Sequence, residues 1–185
     1  MKVQPFTSLK DIRNIKKLLR SKPRDLLLFT IGINSGIRSI DLLRLRVEDL
    51  KDRKVGDRIV VRESKTKKEN VVIVNKEIAD CFRFYMDELQ PEDHQFLFQS
   101  RKGVNYPITT YRVTGLVKDW ASSLNIKGNF GAHTLRKTFC YVQRIHYGVP
   151  WEVLCQRLNH ASPSVTRRYL GVQHEEVEEI LLNTI

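Results

Sequence analysis

The residues that could do chemistry in this sequence are arginine, histidine, lysine and tyrosine, and such a set suits phosphoryl transfer. His133-Thr-Leu-Arg136 sets a histidine and an arginine three positions apart at what reads as a helix start. Both side chains then lie near one face and can address one phosphate. Alone the pair is a weak signal, because chance in a chain with five His gives roughly half an occurrence. The plain alternative is a capping histidine beside a solvated arginine. The surroundings strengthen the first reading. Downstream runs Leu158-Asn-His160-Ala-Ser-Pro-Ser-Val-Thr-Arg-Arg-Tyr169, and upstream Asn34-Ser-Gly-Ile-Arg38-Ser-Ile-Asp-Leu-Leu-Arg-Leu45. Between them lies a lysine-rich stretch containing Ser64-Lys65-Thr66. A tyrosine oxygen attacks phosphorus once its proton is removed and its phenolate stabilised. Arginines bind the non-bridging oxygens bidentately where charge builds up, and a lysine can protonate a poor alkoxide leaving group.

The elements that must position these residues are mostly helical. Ser8 and Asp11 make a capping-box start for a helix carrying Leu9, Ile12, Ile15, Leu18 and Leu19, to about Arg20. Pro23 suits the first turn of a second helix to Ile33, with Gly36 at its stop. A short helix from Ser39 to Leu45, capped by Ser39, is expected next. The β-branched runs Arg58–Arg62 and Asn70–Val74 read as two strands joined by the polar stretch Glu63 to Glu69, a hairpin with a lysine-rich tip. Asn75 caps a helix to Leu89, Gln95 to Gln99 is an extended piece, and Thr109 or Thr110 caps a helix to Ser123. Lys127 to Ala132 is a loop, and Thr134 to Tyr147 one helix stopped by Gly148. Pro150 opens another to Leu158, Ser162 or Ser164 starts one near Tyr169, and Glu175 to Leu182 is a last acidic, amphipathic helix. The expected class is α+β, mainly helical, with one small antiparallel hairpin.

Composition narrows the function. A chain of 185 residues with 41% hydrophobic and 29% charged residues is one globular domain, with no apolar stretch long enough to cross a membrane. The net charge of +11 attracts polyanions such as nucleic acid. Cys81, Cys140 and Cys155 are odd in number and widely spaced, which fits small core residues in a reducing cytoplasm. No His-x₃-His, acidic cluster or Gly-x-x-x-x-Gly-Lys loop calls for metal or nucleotide, so no cofactor is expected. Trp120 and Trp151 read as core; His94, His146 and His174 read as surface residues. Arg101, Lys102, Arg112, Lys118, Lys127 and Lys137 read as solvated bases able to touch a phosphate backbone.

From about Thr7 to the C-terminus the sequence resembles the catalytic domain of the tyrosine recombinases, the family of phage integrases and Xer-type recombinases. The pattern is an arginine after a Thr/Ser-Gly-hydrophobic triplet, a hairpin lysine, a His-x-x-Arg, then a Leu-Gly-His and a tyrosine about nine residues later. Arg38, Lys65, His133, Arg136, His160 and Tyr169 match it in order; Lys65, not Lys67 or Lys68, sits at the Ser-Lys-Thr position. Asn159 replaces the glycine before His160, a change that a left-handed backbone tolerates. The resemblance implies a site-specific recombinase that breaks and rejoins duplex DNA through a 3′-phosphotyrosyl intermediate without metal or ATP, typical of mobile genetic elements. Tyr169 would be the nucleophile, Arg38 and Arg136 the phosphate clamps, and Lys65 the acid. His133 would take the tyrosine proton, or hold the phosphate and return the proton on rejoining, and His160 would donate to a non-bridging oxygen. It also implies a cytoplasmic protein, nucleoid-associated if bacterial, monomeric alone and homotetrameric on double-stranded DNA. The segment 171–185 would dock in cis or in trans. The family's N-terminal DNA-clamping domain finds no counterpart before residue 7, so residues 1–185 read as a single catalytic domain expected to bind DNA weakly alone. Type IB topoisomerase chemistry and non-catalytic DNA binding on the same fold are the alternatives; Leu158-Asn-His160-Ala-Ser favours the recombinase.

Overall fold

A computed structural model describes residues 3–171. The chain forms α1 (Leu9–Leu18), α2 (Pro23–Ser35), α3 (Ser39–Leu42), α4 (Val47–Leu50), β1 (Arg58–Arg62), β2 (Glu69–Ile73) and α5 (Lys76–Leu89). It continues as α6 (Thr110–Ser123), α7 (Ala132–Tyr141), a π-helical turn (Val142–His146), α8 (Trp151–Arg157) and α9 (Pro163–Leu170). The α+β class with one small hairpin holds. The helix expected over Glu175 to Leu182 and His174 lie outside the described residues, as does most of the segment 171–185.

Several ends form as the sequence chemistry dictates. Ser8, Asn75, Thr109 and Ser162 each accept a backbone N–H in the first turn of the following helix, satisfying a donor that has no partner within it. α2 is apolar on nearly every side and buries Leu27, Leu28, Phe29, Thr30 and Ile31. It therefore runs through the centre, against α5 on one side and α7 on the other. Gly32 makes the second contact close: a methyl there would stand 2.7 Å from a Leu135 methyl carbon. Ahead of α1, the Phe6 N–H donates to Thr138 Oγ1 and the Phe6 ring stacks on Phe130 at 4.7 Å, fastening the first residues to α7. A second apolar cluster of Phe139, Cys140, Trp151, Leu154, Leu158 and Leu170 joins α7 to α8 and α9.

α4 (Val47–Leu50) has no counterpart in the sequence reading, α2 runs two residues past Ile33, and three further boundaries differ for a visible reason. The Ser39 hydroxyl donates to the Ala132 carbonyl instead of capping, so Arg38 is the N-cap and α3 closes at Leu42. The ladder pairs Arg58 with Ile73 and Arg62 with Glu69, shifting β2 one residue earlier than expected. The helix expected from Thr134 begins at Ala132, because the Thr134 side chain reaches back to the Gly131 N–H. It then widens into the π turn before the left-handed Gly148. Gln95 to Gln99, expected to be extended, is instead a turn at Leu97 and Phe98 between two isolated bridges, Phe96 to Arg46 and Gln99 to Pro107.

Candidate active site

Arg136 is the most deeply fixed member of the predicted set. α7 lies against α2, α3, α6 and α9, so nearly its whole surface is enclosed and Arg136 is 2% exposed. A buried guanidinium requires acceptors. It donates to the Gly36 carbonyl at 2.8 Å and the Leu158 carbonyl at 2.6 Å. These carbonyls lie at the C-terminal ends of α2 and α8, where the negative end of each helix dipole favours a cation. The turn at Gly36 admits only glycine. Its φ is +64°, and a Cβ would run into the Phe139 ring. Arg136 thus ties the strand-like exit of α2, which carries Arg38, to the end of α8, which leads to His160.

Arg38 is held differently. Its guanidinium forms an ion pair with Glu63, without the alignment of a hydrogen bond, and its side chain keeps 15% of its surface exposed. Glu63 is 1% exposed and points inward from the end of β1. Burial alone would push its carboxyl up. Hydrogen bonds from Thr66 and Asn70 and the Arg38 charge outweigh this and hold it at about 2. Asp41 is also buried: Oδ1 accepts the Ser64 N–H at 2.8 Å, and Oδ2 has no hydrogen-bond partner.

Tyr169 lies on α9 between exposed Arg168 and buried Leu170. Its hydroxyl is sealed from solvent without a hydrogen-bond partner. Burial pushes the phenol up to about 12, although Arg136 nearby favours the phenolate. The His160 ring meets the Tyr169 ring edge-on at 5.2 Å, and Lys137 Nζ sits 5.0 Å from the Tyr169 ring centre. His160 Nδ1 pairs with Thr166 Oγ1 at 3.0 Å. Burial, with Arg136 and Arg38, lowers its pKa to about 4. The turn before it needs the left-handed backbone expected there: Asn159 has φ +52°. His133 is exposed at the start of α7, yet partial burial and the charges of Arg136, Arg38, Lys137 and Lys65 lower its pKa.

The structure thus brings Arg38, His133, Arg136, His160 and Tyr169 into one electrostatic neighbourhood. Lys65 stands at its margin, exposed on the hairpin turn and near enough for its charge to reach His133. Sequence reasoning missed Glu63, Asp41 and Arg157. Arg157, on α8, hydrogen-bonds the Asn70 side chain, the Ser35 carbonyl and, at 2.7 Å, the Val71 carbonyl, tying the hairpin to the helices. It also corrects Lys137: this residue is buried beside Tyr169, not a solvated base, because α7 has almost no free face. Arg101, Lys102, Arg112, Lys118 and Lys127 are exposed, while Trp120 and Trp151 are core. Among the described residues no three His, Cys, Asp or Glu side chains converge as metal ligands, and no helix is long and apolar enough to cross a membrane.

Residues 6–176 match the sequence profile of the phage integrase family. The chain belongs to that family. Its sequence is 32% identical over 177 residues to the probable integrase/recombinase YoeC of Bacillus subtilis (strain 168), covering 94% of this chain and 92% of that protein. It is 27% identical over 175 residues to a tyrosine recombinase of Pseudothermotoga lettingae, covering 95% of this chain but 59% of that relative. The crystal structure of the XerH site-specific recombinase bound to palindromic difH substrate, a post-cleavage complex, superposes with a TM-score of 0.77 at 20% identity. That match covers 97% of this chain and 51% of XerH. The fold of this integrase-family chain is accordingly the tyrosine recombinase catalytic-domain fold.

Proposed function

We propose that this chain breaks and rejoins duplex DNA as a site-specific recombinase, with Tyr169 as nucleophile. The observation that carries the reading is a buried tyrosine hydroxyl near two arginines, with His160 edge-on to its ring and His133 under the same arginine charges, in a chain of this family. Duplex DNA is the partner, to which the net charge of +11 is suited. The assembly on DNA is a homotetramer formed from monomers.

The chemistry follows from the groups. The scissile phosphate sits between Arg38 and Arg136, whose free N–H donors face the non-bridging oxygens as charge accumulates there. Tyr169 Oη attacks phosphorus, the bond to the 5′ oxygen breaks, and a 3′-phosphotyrosyl ester forms. The tyrosine proton passes to His133, whose lowered pKa keeps it a neutral acceptor at neutral pH. The 5′ oxygen takes a proton from Lys65 and leaves as a hydroxyl. With the Thr166 hydroxyl donating to His160 Nδ1, Nε2 carries the proton and donates to a non-bridging oxygen. Rejoining reverses each transfer. The ester keeps the energy of the broken linkage, so neither ATP nor metal enters. Burial pushes the resting phenol up to about 12, so attack depends on His133 taking the proton as the bond to phosphorus forms.

The test is a nicked suicide duplex, drawn from a randomised library, from which the cut 5′-hydroxyl fragment diffuses away. The wild-type chain is expected to leave a covalent protein–DNA adduct, and Tyr169→Phe none. An adduct that persists in the phenylalanine variant would remove Tyr169 from the reaction. Absence of any wild-type adduct across the library would favour DNA binding without catalysis.

A further inference from the structure

We propose that Glu63 is a positioning residue that seats the Lys65 turn against Arg38, so that the leaving-group acid and one phosphate clamp move as one unit. The inference rests on the recombinase reading above.

Lys65 needs such a device. It is exposed, lies at the tip of a two-stranded hairpin, and such hairpins are marginal alone. General acid catalysis requires a donor held within hydrogen-bond reach of the leaving oxygen. Glu63 is where the turn is held. Its backbone closes the turn on both sides: its N–H donates to the Lys68 carbonyl at 2.9 Å, and its carbonyl accepts the Lys67 N–H at 3.0 Å. Its carboxylate spans the same turn from within. Oε2 takes the Thr66 hydroxyl, from the residue next to Lys65, and the Arg38 guanidinium. Oε1 takes the Asn70 amide at 2.8 Å. Asn70 in turn accepts from Arg157. One carboxylate therefore touches the Lys65 turn, Arg38 after α2, and β2, which is pinned to α8. Asp41 adds a parallel tie, from α3 to the Ser64 N–H. Three elements that carry separate parts of the site meet at Glu63, although it does not itself face the phosphate.

The arrangement predicts a selective defect. Glu63→Gln leaves one carbonyl oxygen where two carboxylate oxygens served three donors, so the turn loses an anchor. A substrate with sulfur in place of the bridging 5′ oxygen separates this from general damage, because the thiolate leaves without a proton. Using duplexes that form wild-type adducts, Glu63→Gln is expected to slow cleavage of the oxygen substrate by roughly tenfold or more, and of the sulfur substrate by less than about twofold. Lys65→Ala should show the same selectivity more strongly, and adding Glu63→Gln to it should change little. Thr66→Val removes the hydroxyl's contact with Glu63, together with a 3.3 Å bond it accepts from the Lys68 N–H, and should give a weaker version of the same pattern. Equal loss on both substrates would overturn the inference, since Glu63 would then act through Arg38 or the fold alone. Faster cleavage of both would also overturn it, making Glu63 a brake that competes with phosphate for Arg38. If Glu63→Gln loses its cooperative melting transition, Thr66→Val decides: selective loss supports the inference and no selectivity overturns it. Failure of the wild-type chain to form any adduct would remove the recombinase reading itself, and the inference with it.

Discussion

Arg136 and Arg38 are proposed to grip the same phosphate, yet the protein holds them by opposite means. Arg136 is enclosed within the helical body and bonded to two carbonyls at helix ends, partial charges that cost little to bring together. Arg38 faces a full carboxylate from the hairpin, with part of its surface open. The first arrangement is built into the packing. The second is an ion pair between the exit of α2 and the hairpin, so it depends on the hairpin staying seated. The contrast teaches where the site is rigid and where it can be disturbed without unfolding.

The largest expected effect tests the rigid half. Arg136→Ala leaves the Gly36 and Leu158 carbonyls without a buried partner and should lower the unfolding free energy by about 3 kcal/mol, measured in urea. A cost near zero would mean that water takes the guanidinium's place. Next, Arg38→Ala strands the Glu63 carboxylate and should cost about 2 kcal/mol, most of it recovered in Arg38→Ala/Glu63→Gln. A double variant no more stable than the single would show that Glu63 is satisfied by Thr66 and Asn70 alone.

A smaller effect comes from pH. The unfolded chain takes up a proton on His160 near pH 6.5, whereas folded His160 stays neutral down to about 4, so stability falls as pH drops through that interval. Allowing for its partial exposure, the loss is about 1 kcal/mol, and His160→Gln should flatten it. Glu63, lowered to about 2 from 4.5, continues the decline in the next interval down. A wild-type chain as stable at pH 5 as at pH 7 would contradict this. The smallest effect belongs to Lys65→Ala: exposed on its turn, it should change stability by less than about 0.5 kcal/mol. A larger cost would mean that the turn uses Lys65 structurally.

Much of this was legible in the sequence for a physical reason: local rules governed it. Caps, stops and hairpin strands follow from neighbouring residues: Ser8, Asn75, Gly36 and β1 stand where the sequence puts them, and β2 is displaced by one residue. Asn159 was read as tolerating a left-handed backbone and adopts one. The candidate residues were visible because their types and order form a pattern along the chain. Glu63 was not, since its meaning lies in what it faces. One signal was available. Ile59 and Val61 point inward along β1, so the period-two alternation puts Glu63 inward as well, and an inward carboxylate demands a cation. Asn70 carries the same message on β2 with Val72 and Val74. Lys137 had no such signal: beside Arg136 it reads as one more solvated base, and only enclosure of α7 on all sides buries it.

The π turn after α7 sets an angular phase. A helix advances about 100° per residue, and a π turn absorbs one residue without advancing the rotation. Deleting one residue there would restore a regular helix and leave the Pro150 exit in phase, whereas winding all five residues of Val142–His146 as a regular helix would turn that exit by about 100°. α8 and α9 would then approach Arg136 from the wrong side. The angle at which His160 and Tyr169 meet Arg136 is therefore written in a five-residue segment that buries none of its own side chains fully.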